Sequence, residues 1–391
     1  MAGSREKARE VFWFPAWWSV RHVWFSMRNA RANISVDPLE HDDTMTFHNI
    51  LIIKLRHIGD VLLATPVIRG LREAYPDARL TMLVNRGTEG VLAHNPDLTD
   101  VLCLEKGSWQ AQFAFVQLLR TRGFDAVIDL TDGDRSAIIS LATRSPVRIG
   151  FNAEHRWRGL LYSRVAKPRA MDQHRVEYDL CALRALGLDT KPGVPALFVS
   201  PAEEQVVEDW LLQAGLRSGQ GVAPMVLLQP GARYSLKVWP PDRFAQLADR
   251  LAERFGCRIL LGGDQREREV AELVARKTRC GPIVVAGKFT LLQFAAFVKR
   301  CALFIGNDGG AMHIAAAMGT PVVALFGPTY PQRWGPRGGP SQVIYKGLDC
   351  RACYHPTCLR GDESCMQQIS VDEVFGAASR MLERTTERAG A

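Results

Sequence analysis

The chain has 391 residues, of which 47% are hydrophobic and 23% charged, and its formal net charge is +8. This composition excludes wholesale disorder, and the length allows two domains of ordinary size. No run of eighteen apolar residues occurs, so no spanning helix is expected, and the positive charge favours an acidic partner: an anionic membrane surface, a phosphorylated substrate or nucleic acid.

Residues 1–48 differ in composition from the rest of the chain. Four tryptophans and three phenylalanines lie between residues 11 and 31, with arginines interleaved. This composition is typical of a segment that lies in a membrane interface without spanning it. The alternatives are an extension that packs on the protein's own surface and a start codon placed too early. Nine cysteines without a recognisable secretory signal predict a cytoplasmic location with most thiols free.

Strands and helices alternate from Ile50 onward. An apolar strand at 50–53 is followed by a turn with Gly59 and Asp60, and then by a helix with apolar residues from Val67 to Tyr75. Further strands are predicted at 78–84 and 125–130, with a helix over 112–123 between them. The Pro- and Gly-rich stretch 187–204 predicts a linker.

The same pattern restarts after the linker. Strands are predicted at 225–231, 257–264, 282–287, 302–308 and 321–327, and helices at 242–256, 291–300 and 371–388. Strands separated by helices indicate parallel sheets covered on both faces. We therefore predict an α/β fold with two doubly wound, Rossmann-like domains, 49–200 and 221–375, which face a cleft and are followed by a C-terminal helix at 376–391. Such sheets bind ligands at the carboxyl ends of their strands.

The segment IGNDGGAMHIAAAMG predicts an anion site in the second half. Asn307 and Asp308 end a strand, Gly309 and Gly310 form a turn, and a short helix follows with His313 in its first turn. Paired glycines let backbone N–H groups approach a ligand, and a helix N-terminus favours an anion. The alternative is an ordinary tight turn with a buried Asp cap and a core histidine.

Other strand ends of the second half supply matching chemistry. They contribute Gly231, Arg233, Lys237, Glu267 and Thr329. A diphosphate would suit Lys237 and the backbone amides, and the Glu267 carboxylate would suit ribose hydroxyls. We predict these residues, with Asp308, Gly309, Gly310 and His313, as one nucleotide-binding site.

Four motifs of the chain resemble those of glycosyltransferase family 9, the bacterial lipopolysaccharide heptosyltransferases. They are GD after the first strand, PGA…K.WP, D.G..H and GTP…LFGPT. The resemblance covers roughly residues 49–385, and KLRHIGDVLLATPV is most similar to the heptosyltransferase III type. It implies a GT-B fold, ADP-heptose as donor, lipid A–inner core as acceptor and inversion at the anomeric carbon. It places the catalytic aspartate at Asp60 and the phosphate-binding lysine at Lys237, so it makes the nucleotide-binding site of the second half the donor-binding site.

The chain departs from the family pattern at two places. Gly309 stands where a Thr or Ser is usual, and Ala232 and Arg233 stand where some members have two threonines. Other nucleotide sugars therefore remain open as donors. Because Lys237 and the helix dipole can stabilise the departing ADP, neither a metal nor another cofactor is expected.

Asp60 has two interpretations from the sequence. As a base, its carboxylate would take the proton of the attacking acceptor hydroxyl. As an N-cap, it would start a helix at Val61. Because Thr65 and Pro66 form a good cap-and-N1 pair, we predict residues 57–64 to be a loop, which favours the base.

Arginines of the first half predict binding of an acidic acceptor. Kdo carboxylates and phosphates suit Arg forks, and we assign Arg56, Arg135 and Arg148 to the acceptor. The same loop region also contains Arg144, Arg156 and Arg158. For at least half of these arginines, the alternative is that they are solvated surface charges without a ligand. Asp132 and Asp134 form a DxD pair, but two Rossmann-like halves argue against the metal-dependent fold that uses it.

Cys350, Cys353, Cys358 and Cys365, with His355 among them, have only part of a zinc-ribbon spacing, so metal binding there stays open. We predict an inverting, metal-independent glycosyltransferase that is peripheral on the cytoplasmic face of the inner membrane and binds no nucleic acid. The alternatives are a transferase for another nucleotide sugar, a sugar-nucleotide epimerase, and a non-catalytic polysaccharide- or membrane-binding relative.

Overall fold

Two parallel sheets of six strands each organise the chain. The computed structural model describes residues 46–390, apart from 106, 171, 190, 217–221, 349, 351–352 and 354–356. The residues from Phe47 onward belong to one unit. The predicted membrane-interface segment at 11–31 and His355 lie outside the described residues.

The first half contains six strands and five helices. In chain order these are β1 Asn49–Lys54, α1 Ile58–Leu63, α2 Thr65–Ala74, β2 Arg79–Asn85, β3 Asp100–Leu104, α3 Trp109–Thr121, β4 Ala126–Asp129, α4 Asp134–Ala142, β5 Val147–Phe151, β6 Arg164–Ala166 and α5 Arg175–Arg184. Short 3₁₀ turns occur at Glu89–Leu92 and Trp157–Leu161. All pairings are parallel, in the order β3-β2-β1-β4-β5-β6.

The second half repeats this plan. Its elements are α6 Pro201–Gln213, β7 Met225–Gln229, a 3₁₀ turn Ser235–Lys237, α7 Pro241–Phe255, β8 Arg258–Leu261, α8 Arg268–Lys277, β9 Ile283–Val284, α9 Leu291–Val298, β10 Leu303–Asn307, α10 Gly310–Ala317, β11 Val322–Phe326, α11 Pro331–Trp334, β12 Ser341–Tyr345, a 3₁₀ turn Gly361–Glu363, α12 Cys365–Gln368 and α13 Val371–Gly390. The strand order is β12-β11-β10-β7-β8-β9, again all parallel.

The central strands are buried on both faces, as their continuous apolar sequences predict. Every residue of β7, β10 and β11 is buried. Helices cover both faces of such sheets, since strands without a solvent-facing side need apolar partners above and below. The α/β, doubly wound prediction is therefore confirmed.

Several details differ from the sequence predictions. Residues 58–63 form helix α1 instead of a loop, because Val61, Leu62 and Leu63 bury their side chains as one short turn-and-a-half. Strands β3, β5, β6 and β12 were not predicted; their burial is incomplete, so their apolar signal is weak.

The C-terminal helix has a sheet partner that the pattern did not reveal. Its residues Val374, Ala377 and Ala378 are buried in the core shared by α7 and β10. The predicted boundary between residues 375 and 376 falls inside this helix, which begins at Val371.

The linker region crosses from one half to the other. The Ala196 N–H donates to Thr65 Oγ1 at 2.9 Å, so the linker follows the first half that far. Ser200 then caps α6, whose side chains pack on α9 of the second half. Among the described residues, no helix is long and apolar enough to cross a membrane.

Candidate active site

Both sheets have the strand order of a doubly wound fold and therefore one switch point each. In the first half, the connections that follow β1 and β4 diverge to opposite faces; in the second half, those that follow β7 and β10 do so. Crevices outside the carboxyl ends of strands at such points are the usual ligand sites of this architecture. Asp60 follows β1, and Asp308 follows β10.

Helices α1 and α10 bring the two crevices together through glycine. A Cβ on Gly59 would lie 2.9 Å from His313 Cδ2 and 3.6 Å from Gly310 Cα, and a Cβ on Gly310 would lie 3.5 Å from Ile58 Cγ2. A side chain at position 59 would therefore collide with the imidazole. The absence of one lets the helix that holds Asp60 contact the predicted donor motif.

Asp60 is the third residue of α1, not its cap. The His57 N–H donates to Asp60 Oδ2 at 3.3 Å, and the side chain is half-buried. The carboxylate is close enough to Lys54, Arg175 and His313 to favour their protonated forms. The N-cap is His57 and not Asp60, but the Asp60 side chain completes a capping box by accepting the His57 N–H.

A cluster of three predicted donor residues lies at the carboxyl end of β10. Asp308 Oδ2 pairs with Lys237 Nζ at 2.5 Å and accepts a hydrogen bond from Thr329 Oγ1 at 2.6 Å. Asp308 is buried, whereas Lys237 is about one-fifth exposed. The structure thus joins residues that are 71 and 21 positions apart in sequence.

His313 is buried beside this cluster. Burial lowers the pKa of the imidazole to about 4, so the ring is neutral at neutral pH. Its Nδ1 has no hydrogen-bond partner among the described residues. The imidazole therefore fills space beside the cluster without adding a positive charge, and its Nδ1 is an unpaired polar atom among the described residues.

A second group surrounds Gly231 at the end of β7. Glu267 Oε2 accepts hydrogen bonds from Gln229 Nε2 at 2.7 Å and from the Asp264 N–H at 3.1 Å. A Cβ on Gly231 would lie 2.5 Å from Glu267 Cδ, so only glycine fits beside this carboxyl group. Burial raises the pKa of Glu267.

Asn307 connects the two donor groups, and the sequence analysis did not assign it. Its Nδ2 donates to the carbonyls of Pro230 and Gly231 at 2.9 and 3.2 Å, and its Oδ1 accepts the Trp239 N–H at 3.0 Å. One buried amide thus fixes the loops on either side of Lys237. Its position directly before Asp308, at the end of an apolar strand, is the sequence signal.

Two contacts cross from one half to the other near Asp60. Arg233 Nη1 lies 3.0 Å from His57 Nε2, and His174 Nε2 lies 2.9 Å from the Gly335 carbonyl oxygen. Arg233, predicted as a donor residue, is therefore held against the first half. His174 was not predicted; it precedes α5 and has no motif around it.

A buried ionic group lies beneath Asp60. Lys54 Nζ pairs with Asp179 Oδ2 at 2.6 Å, and Arg175 Nη2 pairs with Asp179 Oδ1 at 2.7 Å. Burial, followed by repulsion from Arg175, lowers the pKa of Lys54 to about 8. This ionic group was not predicted. The lysine at the end of the apolar strand NILIIK is the sequence signal for it, since a buried lysine requires a partner.

The three arginines that were predicted to bind the acceptor lie in different parts of the first half. Arg56 reaches the carboxyl edge and donates to the Thr131 carbonyl at 3.1 Å, and Arg135 is exposed in the first turn of α4. Arg148 is not brought to the cleft: it is the second residue of β5 and donates to the Leu161 carbonyl at 2.9 Å. Position at the amino end of a parallel strand explains this, because such residues lie away from the ligand edge.

Arg158 is not available for an acceptor either. It is buried and pairs with Asp132 at 2.8 Å and with Asp134 at 3.3 Å. The two DxD carboxylates therefore neutralise an internal arginine.

Cys350, Cys353, Cys358 and Cys365 line a single small cavity beside the 3₁₀ turn of Lys237. All four are free thiols. In the part of the chain that the structure describes, no group of three or more His, Cys, Asp or Glu side chains is arranged to hold a metal ion.

Two doubly wound halves in contact at their switch points form a GT-B fold. The structure aligns with that of a family 9 glycosyl transferase from Veillonella parvula (TM-score 0.76, 24% identity, 88% of this chain and 99% of that one). It also aligns with Escherichia coli ADP-heptose lps heptosyltransferase II (TM-score 0.70, 24% identity, 86% and 99%). The predicted GT-B fold is confirmed.

Sequence comparisons give the family. The family model described as "Glycosyltransferase family 9 (heptosyltransferase)" matches residues 112–362. Lipopolysaccharide heptosyltransferase 3 of Escherichia coli is 30% identical over 347 residues, which cover 85% of this chain and 98% of that protein. The chain belongs to glycosyltransferase family 9, and the predicted family and enzyme class are confirmed.

Proposed function

We propose that this enzyme moves a heptose from ADP-heptose to the inner core of lipopolysaccharide, with inversion at the anomeric carbon. The observation that supports this most is the contact between Gly59 and His313. It brings Asp60 in the first half next to the Lys237–Asp308–Thr329 cluster in the second. The relative that is 30% identical is named a lipopolysaccharide heptosyltransferase. The solved Escherichia coli structure is named as that of an ADP-heptose lps heptosyltransferase.

The second half binds the donor in this proposal. The diphosphate lies at the N-terminus of α10, where the backbone N–H groups of Gly309 and Gly310 and the helix dipole favour an anion. Lys237 exchanges its pairing with Asp308 for a phosphate oxygen, and Thr329 keeps Asp308 hydrogen-bonded. Glu267 accepts hydrogen bonds from the ribose hydroxyls.

Asp60 supplies the base. The acceptor hydroxyl oxygen forms a bond with the anomeric carbon while the bond from that carbon to the phosphate oxygen breaks. The hydroxyl proton passes to the Asp60 carboxylate, and the electron pair of the broken bond leaves with ADP. Lys237 and the α10 amides stabilise the charge that develops on the leaving phosphate, so the step needs no metal ion.

Arg56 and Arg135 bind the acidic part of the acceptor. Both lie on the first half at the carboxyl edge of its sheet, the edge to which Asp60 belongs. Guanidinium groups match carboxylate and phosphate geometry. Because the acceptor is anchored by lipid A, the enzyme works as a peripheral protein on the cytoplasmic face of the inner membrane.

The test measures ADP release from ADP-heptose with and without heptose-deficient lipopolysaccharide. We expect release only when both are present, together with a mass gain of one heptose on the acceptor. ADP-glucose and UDP-sugars serve as competing donors, because Gly309 and Arg233 replace hydroxyl-bearing residues of relatives. Equal turnover of another nucleotide sugar, or turnover without acceptor, would overturn the proposal.

A further inference from the structure

Exposed apolar side chains concentrate on one part of the first half. Trp109 and Phe113 of α3 are 70% and 59% exposed, and Trp157 and Leu160 of the 3₁₀ turn are 47% and 71% exposed. Ile138 and Leu141 of α4 add 41% and 44%. Eight of the fourteen large hydrophobic side chains that are exposed among the described residues lie between 109 and 165. We call the six residues named here the apolar rim.

The elements of the apolar rim are neighbours. Arg120 Nε of α3 donates to the Ala142 carbonyl of α4 at 3.0 Å. Asp134, which starts α4, pairs with Arg156 at 3.1 Å, directly before Trp157. The spacing of four residues in α3 and three in α4 places each exposed pair on one helix face. Helix α4 therefore contacts both α3 and the 3₁₀ turn, so the exposed apolar side chains of the rim lie on three elements that pack side by side.

The apolar rim starts at the edge of the sheet that holds the site and continues along α3 and α4 toward the opposite edge. Helix α3 follows β3, α4 follows β4, and the 3₁₀ turn follows β5, so the first residues of all three lie at the carboxyl ends of parallel strands. Asp60 follows β1 at the same edge. An acceptor that approaches Asp60 from the first half must pass near this rim.

Arginines accompany the apolar residues. Arg135 lies three residues before Ile138 on α4 and is exposed. Arg156 is half exposed beside Trp157 and is partly balanced by Asp134 and Glu154. This combination is typical of membrane-interface surfaces: tryptophan, phenylalanine and leucine side chains enter the acyl-chain boundary, and neighbouring arginines contact anionic headgroups.

We propose that the apolar rim docks the first half on an anionic lipid bilayer and so presents the cleft to a lipid-anchored acceptor. Trp109, Phe113 and Leu160 enter the interface, and Arg135 contacts headgroup phosphates. The proposal rests on the proposed function for its acceptor. It assigns membrane contact to described residues of the first half, in addition to the predicted segment at 11–31.

The experiment compares full-length proteins on vesicles of phosphatidylethanolamine and phosphatidylglycerol. Trp109→Ser, Phe113→Ser and Leu160→Ser are combined in one variant. The matched control combines Leu212→Ser and Leu359→Ser, two side chains of the second half that are 67% and 77% exposed. We expect the rim variant to lose at least tenfold in vesicle affinity, because interfacial binding strengthens with the apolar area that is buried. The control should bind as the unmodified protein does.

Two further measurements separate this proposal from the proposed function. The rim variant should transfer heptose normally to a delipidated, water-soluble core acceptor and poorly to acceptor embedded in vesicles. Vesicle affinity that is unchanged in the rim variant would overturn the docking surface, whatever the transfer activity. Light scattering that showed the substitutions only to break a dimer would overturn it as well. Absence of heptose transfer by the unmodified protein would overturn the proposed function alone.

Discussion

The Asp60 carboxylate combines a fixed backbone position with an accessible side chain. Its bond from the His57 N–H fixes one oxygen, and its half-buried state leaves room for a substrate hydroxyl. An asparagine side chain at this position would keep the shape and the acceptor oxygen. It could not take a proton.

The first prediction follows from this. Asp60→Asn should lower single-turnover transfer to truncated lipopolysaccharide by roughly two to four orders of magnitude, the usual contribution of a positioned base. ADP affinity and melting temperature should stay close to those of the unmodified enzyme. Transfer within a few-fold of normal would show that Asp60 is structural only.

Lys237 is the residue whose partner changes in the proposed reaction. Lys237→Ala should weaken ADP binding roughly ten- to a hundredfold in calorimetry, because a hydrogen bond to a charged group contributes about 1.5–3 kcal/mol. Lys346→Ala is the control: Lys346 also pairs with a carboxylate, that of Glu373, but outside the site. Equal ADP affinity of the two variants would remove Lys237 from the donor site.

His313 predicts a pH dependence of stability. The unfolded chain protonates this histidine at its ordinary pKa of 6.5, whereas burial lowers the folded pKa to about 4. The unfolded state therefore binds more protons between these values, and the stability due to neutral His313 is complete above about pH 6.5 and lost as the pH falls toward 4. At about 1.4 kcal/mol per pKa unit, the loss approaches about 3 kcal/mol.

Urea unfolding at pH 7 and pH 4 measures this loss. His313→Gln should show a smaller loss between the two pH values than the unmodified protein, and exposed His48→Gln should follow the unmodified protein. Parallel losses in all three proteins would contradict the assignment.

At the scale of elements, α1 of the first half and α10 of the second half pack closely at the site through Gly59. Gly59→Ala places a methyl group 2.9 Å from His313 Cδ2, so the ring or the helix must move. We expect a loss of about 1–3 kcal/mol in unfolding free energy, as for other overpacked sites, and reduced transfer. Denaturant midpoints and the transfer assay measure both.

Gly90→Ala is the matched variant. A Cβ there also faces the second half, but it would meet Leu291 Cβ at an ordinary 3.8 Å. It should leave stability and transfer nearly unchanged. If both variants behaved alike, close packing at Gly59 would not be the cause.

At the scale of the whole molecule, membrane attachment has two proposed sources. The apolar rim is one, and the predicted segment at 11–31 is the other. Replacement of Trp13, Trp17, Trp18 and Trp24 by Ser in the full chain should weaken binding to anionic vesicles, because interfacial binding scales with the apolar area that is buried. Turnover on a soluble acceptor should remain intact. Vesicle affinity equal to that of the unmodified protein would refute a membrane role of this segment.

The sequence by itself determined the fold class and the family. Continuous apolar strands such as MVLLQ and LFIGN repeat between helices, and that pattern is local, so it can be recognised without the structure. The order of the motifs around Asp60, Lys237 and Asp308 gave the family in the same way. Weakly buried strands such as β6 and β12 did not have this signal.

The tertiary structure alone decided which side chains meet. Lys54 and Asp179 are 125 residues apart, and His174 and Gly335 are 161 apart, yet each pair is in contact. It also separated arginines of similar sequence context: Arg135 is exposed at the ligand edge, Arg148 lies at the opposite end of a strand, and Arg158 is neutralised inside. Local sequence specifies a residue's strand or helix, but burial and charge pairing depend on chain segments that only folding brings together.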